Sequence, residues 1–254
     1  MSLIFDSHAH YDDDAFDSDR DAVLNGLFGG NVGFILNCAS DLASAEKSIE
    51  ICKRYKNMYV AVGIHPHEAE DAPSNYIDRI KNLLEYEKAV AVGEIGLDYH
   101  YDFSPRDVQK QVLIEQIKLA KELDLPVIIH DREAHGDIYP ILQEYKPKGV
   151  IHCYSGSVEL MKEAVKIGMY IGLGGAVTFK NAKTPKEVAK EVPIDRLLLE
   201  TDAPYMAPVP MRGKRCSSDM ISYTAEEIAR IRDISVDELI SITDQNAKEL
   251  FGIK

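Results

Sequence analysis

Leu125-Pro126-Val127-Ile128-Ile129-His130 is a short apolar run, rich in β-branched residues, that opens beside a proline and stops at a histidine. Its hydrophobicity is continuous and does not alternate. That pattern fits a parallel strand covered on both faces, because a solvent-facing side would carry polar residues at every second position. Runs of the same kind recur along the chain. We expect eight strands, near residues 3–8, 33–39, 59–64, 90–95, 127–130, 149–152, 169–173 and 197–201.

Between the runs lie segments of helical period. Ser104-Pro105-Arg106-Asp107 and Thr184-Pro185-Lys186-Glu187 each read as a hydroxyl N-cap, a proline at the first helical position and an acid in the first turn. Ser235-Val236-Asp237-Glu238 has capping-box spacing and opens a last helix that ends near Phe251-Gly252. No Gly/Ser/Pro-rich linker, repeat or low-complexity tract divides the chain, so a single domain over residues 1–254 is expected. Eight β–α alternations in a chain of this length point to a closed (β/α)8 TIM barrel, with an open doubly wound sheet as the competing architecture.

The 254 residues carry 29 Lys and Arg against 42 Asp and Glu, a net charge of −13. A broad basic surface for nucleic acid is thereby excluded, since neutralising many phosphates needs clustered cations. An enzyme that meets phosphate only inside a cleft is not. With 45% hydrophobic and 28% charged residues the chain can build a substantial core. Cys38, Cys52, Cys153 and Cys216 form no C-x-x-C pair and read as free thiols in a reducing compartment. The first residues reach Asp6 without the basic start and apolar run of a secretory signal, and no run is long enough to cross a bilayer. A cytoplasmic protein without membrane association is expected.

The ionisable residues gather at the expected C-terminal ends of the strands. His8 and His10 end the first, Glu94 the fourth, His130 the fifth, His152 the sixth and Asp202 the eighth. In a barrel those ends share one face, and active sites of this fold lie there. Imidazole nitrogens and carboxylate oxygens are ligands for Zn²⁺, Mn²⁺ and similar cations. His8-Ala9-His10 places alternate rings on one side of an extended segment, so both can turn to one ion. Glu94 follows Ala91-Val92-Gly93, where an unpaired acid would be expensive to bury. His130 or His152 alone would be read as a satisfied core histidine. Four histidines and two acids at five strand ends are read together as a metal site.

The segments Ile4-Phe5-Asp6-Ser7-His8-Ala9-His10-Tyr11-Asp12, Gly93-Glu94-Ile95-Gly96-Leu97-Asp98-Tyr99, Pro126 to Ala134, His152-Cys153-Tyr154-Ser155-Gly156 and Leu197 to Pro204 occur in order along nearly the whole chain. In them the sequence resembles the TatD family of metal-dependent deoxyribonucleases, within the amidohydrolase superfamily. The resemblance implies an amidohydrolase-like (β/α)8 barrel and two divalent ions (Mg²⁺, Mn²⁺ or Zn²⁺) joined by the carboxylate of Glu94. One ion would be held by His8, His10, Glu94 and Asp202, the other by Glu94, His130 and His152. Asp202 would orient the attacking water and accept its proton. The implied reaction is hydrolysis of DNA phosphodiesters by an exonuclease acting on single strands.

Substrate contacts rest on less specific residues. Arg132 can grip a phosphate through its forked guanidinium, or else pair with Asp131 or Glu133. His65 leaves the third strand toward the same face and is read as a phosphate contact, against a structural hydrogen bond; His67 beside it is weaker. Asp6 and Glu200 are candidates to hydrogen-bond ligand imidazoles. Arg212, Lys214 and Arg215 form the densest basic cluster of the chain and suit DNA backbone contact, or a solvated loop. The family usually has Asn where Cys216 stands and Pro where Ser218 stands, a departure that touches the substrate rim and not the metal ligands.

Two features receive plain readings. Asp12, Asp13, Asp14, Asp17, Asp19 and Asp21 lack the Gly and closing Glu of a calcium loop and fit an exposed loop before a helix. Cys153 follows a ligand in an extended segment and so points away from it, as a packing thiol. The competing functions are a metal-dependent hydrolase of an amide or of an aminoacyl-tRNA ester, and a non-catalytic metal-binding protein. An acidic surface with few rim cations leads us to expect contact with only a few nucleotides; no obligate protein partner is evident.

Overall fold

Residues 2–254 are described by the computed structural model. All eight expected strands form, in the expected order: β1 Ile4–Ala9, β2 Val32–Cys38, β3 Met58–Val62, β4 Ala89–Asp98, β5 Val127–Arg132, β6 Gly149–Ile151, β7 Tyr170–Leu173 and β8 Leu197–Leu199. The connections carry α1 Arg20–Phe28, α2 Leu42–Cys52, α3 Tyr76–Leu83, α4 Arg106–Glu122, α5 His135–Tyr145, α6 Val158–Lys166 and α7 Lys183–Glu191. After β8 come α8 Ile221–Arg232 and α9 Val236–Phe251.

The strands are parallel and lie side by side in chain order. The sheet curls until its ends meet. Ser7 Oγ donates to the Leu199 carbonyl at 3.0 Å, and a parallel bridge joins Ala9 to Ala203. The Asp202 and His10 amides donate to the His8 and Ala203 carbonyls at 2.9 and 2.7 Å. This is a (β/α)8 barrel, not the open sheet.

The continuous apolar runs follow from two different coverings. Leu36, Ile128, Val150 and Leu198 point into the barrel, while their neighbours Ile35, Ile129, Ile151 and Leu199 pack under the helices. Ala247, Leu250, Phe251 and Ile253 complete the interior cluster from the C-terminal segment, with the Phe251 ring 6.1 Å from Phe5 near the start of β1. The end at which the strands begin is thus plugged by apolar side chains, and the opposite end is left for polar ones.

The last helix starts as its sequence indicates: Ser235 Oγ accepts the Glu238 amide at 3.1 Å, and Gly252 closes it at φ 66°. The other two starts differ. Pro105 itself is the N-cap of α4, because the Ser104 hydroxyl is buried elsewhere, accepting from the Glu70 amide and donating to the His67 carbonyl. Helix α7 begins at Lys183, before Thr184; Pro185 is tolerated because first-turn amides have no acceptor within the helix. Among the described residues no helix is long and apolar enough to cross a membrane.

The acids of residues 12–21 are taken up by protein partners, Asp14 and Asp17 sharing Lys47. Asp12 accepts from Asn37 and Ser44, Asp17 pairs with Arg20 and Lys47, Asp19 with Arg215 and Asp21 with Arg54. No calcium loop forms. The four cysteines are free thiols.

Candidate metal centre

β1 presents His8 and His10 from alternate positions, and their Nε2 atoms come within 3.1 Å. Asp202 joins them from just beyond β8. Its backbone lies in the left-handed region at φ 64°, which an aspartate tolerates better than most residues, and its amide is tied to β1. Asp202 Oδ1 is 3.3 Å from His10 Nε2 and 3.8 Å from His8 Nε2.

Glu94, on β4, is buried at the centre. Its two oxygens face different groups. Oε2 lies 3.3 and 3.6 Å from Nε2 of His8 and His10. Oε1 lies 2.7 Å from His152 Nε2 and 2.8 Å from His130 Nδ1, which are 3.2 Å apart. The six residues expected as ligands therefore converge, one carboxylate standing between two sets. Ligand atoms also come within 4.8 Å of one another in the combinations His8, His152 and Asp202, and His65, Glu94 and His130.

Hydrogen bonds on the far side of two rings fix what they present to the centre. His10 Nδ1 bonds the Cys38 carbonyl at 2.8 Å, and His130 Nε2 bonds Asp98 Oδ2 at 3.0 Å. Those acceptors hold the ring protons, so a neutral His10 or His130 turns a lone pair toward Glu94. Lone pairs and a carboxylate come together at such distances only with a proton or a metal ion between them. Burial opposes charge on both rings, yet the acids beside them prevail: His10 is raised to about 10 by Asp202 and Glu94, and His130 to about 9 by Asp98 and Glu94. His8, buried and next to His152, is instead lowered to about 4. Glu94 is driven up by burial and held well below the usual carboxylate range by the surrounding imidazoles, and Asp202 is likewise lowered against burial by His10. Nitrogen and carboxylate donors around a place that demands positive charge fit Zn²⁺, Mn²⁺ or a related cation.

His65 sits 3.6 Å from Glu94 Oε1, closer to the centre than a rim contact. Its Nδ1 accepts the His67 amide at 3.2 Å, so the neutral ring carries its proton on Nε2 and offers a donor to the cleft. Burial keeps it neutral, well below the usual histidine pKa. That leaves Nε2 a hydrogen-bond donor rather than a lone pair facing the centre.

The sequence reading missed Asp98. Its Oδ2 accepts from both His130 and His67 at 3.0 Å, while Oδ1 accepts the amides of His100 and Tyr101. Despite burial, the bond from His130 holds its pKa far below the usual range. The signal was present: Asp98 is four residues beyond Glu94, on the same face of an extended strand. β4 runs on this far because Gly96 passes hard against β5, where a Cβ would lie 1.9 Å from the His130 carbonyl oxygen.

The other two outer candidates behave differently from expectation. Asp6 touches no imidazole; it accepts from the amides of His8 and Thr201 and from the hydroxyls of Thr201 and Ser218, tying β1 to the loop after β8. Burial raises it to about 6. Glu200 accepts the Cys153 amide but stays 3.9 Å from His152 Nδ1, which has no hydrogen-bond partner. Burial raises Glu200 to about 8, and it pushes the Cys153 thiol upward too, opposite to the need of a nucleophile.

Above the centre opens a cleft of about 620 Å³, lined by His10, His65, His67, Asp98, Tyr101, Arg132, Tyr205 and Met206 among others. Arg132 makes no ion pair with Asp131 or Glu133, which bond His135 and His100; its guanidinium lies 4.7 Å from the Tyr101 ring centre. Arg212 and Lys214 line a neighbouring depression that shares Tyr205 and Met206 with the cleft. Arg215 is taken up by Asp19. Cys216 and Ser218 are buried beneath the rim: Ser218 donates to Asp6 and to no solvent-facing group, so the departure from the family pattern alters an internal tie.

A family model described as TatD related DNase matches residues 5–252. The uncharacterized metal-dependent hydrolase YabD of Bacillus subtilis is 44% identical over 99% of this chain and 100% of its own. A protein of Escherichia fergusonii named 3'-5' ssDNA/RNA exonuclease TatD is 30% identical over 98% of this chain and 99% of its own. The solved structure of the TatD homologue YjjV from Escherichia coli K12 superposes with a TM-score of 0.93 at 32% identity, covering 99% of this chain and 98% of that one. The chain therefore belongs to the TatD family of metal-dependent hydrolases.

Proposed function

We propose that this protein is a nuclease that hydrolyses phosphodiester bonds of single-stranded DNA from an end, with two divalent ions. The observation that carries this reading is Glu94, whose oxygens face His8 and His10 on one side and His130 and His152 on the other. His8, His10, Glu94 and Asp202 would hold one ion, and Glu94, His130 and His152 the other. When bound, such ions lower the pKa of water and neutralise charge on phosphoryl oxygens. Asp202, held ionised, accepts the proton of the attacking water. His65 donates its Nε2 proton to a phosphate oxygen, and Arg132 supplies a forked cation beside it.

The exonuclease name of the Escherichia fergusonii relative supports the choice of substrate. So do Arg132 in the cleft and Arg212 and Lys214 in the depression beside it, which have no ion-pair partner among the described residues of an acidic protein. Hydrolysis of a simple amide needs no such cations; an aminoacyl-tRNA would use them too, and a direct assay on its ester separates it from strand cleavage. Protein stripped by chelation should lose cleavage of end-labelled single strands and regain it with Mn²⁺ or Mg²⁺. Retention of cleavage after stripping, or cleavage of esters and amides in place of strands, would overturn the reading.

A further inference from the structure

Tyr101 (48% exposed), Phe103 (64%), Tyr205 (54%), Met206 and Val209 are five of the six large hydrophobic side chains most exposed among the described residues. All five stand on two loops, those after β4 and β8. In a ring ordered β1 to β8 these loops are half a turn apart, and Tyr101 and Tyr205 both line the cleft. Tyr101, Tyr205 and Met206 line the cleft and Phe103 stacks against Tyr101, and exposed apolar area at the mouth of a polar site marks a surface that meets a ligand.

Each wall is built and braced. Phe103 stacks on Tyr101 at 5.3 Å and 23°, His67 meets both edge-on, and Arg132 lies over Tyr101. On the far side the Tyr205 hydroxyl donates to Asp13 at 2.7 Å, which fixes the ring 6.4 Å from His10. One wall therefore adjoins the His130 and His67 half of the centre and the other adjoins the His10 half.

We propose that Tyr101–Phe103 and Tyr205 are stacking walls for unpaired nucleobases on the two sides of the scissile phosphodiester. The inference rests on the nuclease reading and adds to it a site for the bases. A phosphodiester link has a nucleoside on each side, and aromatic faces on both sides of the metal ligands match that arrangement. Arg132 near one wall and Arg212 with Lys214 near the other complement the backbone charge. Bases in a duplex are already stacked on one another, so these walls select strands with free base faces.

The test uses the full-length Mn²⁺-loaded protein on a single-stranded oligonucleotide and on the same strand with abasic nucleotides at both ends. The abasic strand should be cleaved about tenfold less efficiently. Phe103→Ala and Tyr205→Leu should each raise KM for the normal strand about tenfold, leave kcat within about twofold, and leave the abasic strand unaffected. A folding defect would lower activity on both strands alike. In variants whose Tm matches the wild type, equal loss on both strands, or no loss on either, overturns the walls while leaving the nuclease reading intact. If the wild-type protein cleaves neither strand, the nuclease reading fails, and fluorescence anisotropy decides on the walls. Tighter binding of the normal strand that Phe103→Ala abolishes sustains them; equal binding of the two strands removes them.

Discussion

Asp98 Oδ2 accepts from Nε2 of His130 and from Nε2 of His67, so one carboxylate orients a proposed ligand and a residue of the cleft wall together. Outer partners of this kind strengthen a ligand imidazole and fix its ring. Asp98→Asn keeps an acceptor but halves this arrangement, and should weaken metal binding about 10- to 100-fold. Competition titration with a Zn²⁺ chelator checks this; unchanged affinity would reduce Asp98 to an anchor for the amides of His100 and Tyr101. The raised values of His10 and His130 give a second expectation. The acids beside them favour the protonated form of both rings when no metal is bound, and a ligand must be neutral. Loading should release protons, and affinity should climb as pH rises toward 9. Calorimetry in buffers of different ionisation enthalpy measures the release, and its absence would mean that neither ring is a ligand.

The strands were legible because both of their faces are apolar, one lining the barrel interior and one lying under helices. The site was legible for a related reason. A histidine or acid that halts a buried run must leave the core, and in a barrel it leaves at one common rim. Asp98 is hidden by the same logic: the apolar run of β4 ends at Ile95, whereas Gly96 lets the strand pass β5 and continue to Asp98. One helix start was hidden because its capping hydroxyl is used elsewhere. Ser235 caps α9; Ser104, with an equally good local pattern, is drawn into a tertiary hydrogen bond. Ser235→Ala should therefore cost about 1 kcal/mol, seen as a fall in Tm of roughly 2–4 °C, with activity unchanged. Helix α9 plugs the barrel at the end away from the cleft, so a loss of activity at constant fold would contradict that placement.

At the scale of the molecule the net charge is −13, and among the described residues Arg132, Arg212 and Lys214 make no ion pair and stand at the cleft or in the depression beside it, whereas Arg215 is paired with Asp19. Sequence alone could not show which basic residues were free: Arg215 looked equal to Arg212 and Lys214, and only folding brings Asp19 to it. With Arg132, Arg212 and Lys214 available, strand binding should weaken with salt at a slope of about −2 in log–log form. A slope of about −5 or steeper would require a basic footprint that this surface lacks.

The proposed function requires Glu94 to join two ions in one reactive site. Stripped protein titrated with Mn²⁺, with bound metal and strand cleavage followed together, tests it most directly. Two equivalents should bind per chain, cleavage should appear only as the second fills, and Glu94→Gln should lose both the second equivalent and the activity. Full cleavage at one equivalent, or an active Glu94→Gln, would contradict the account.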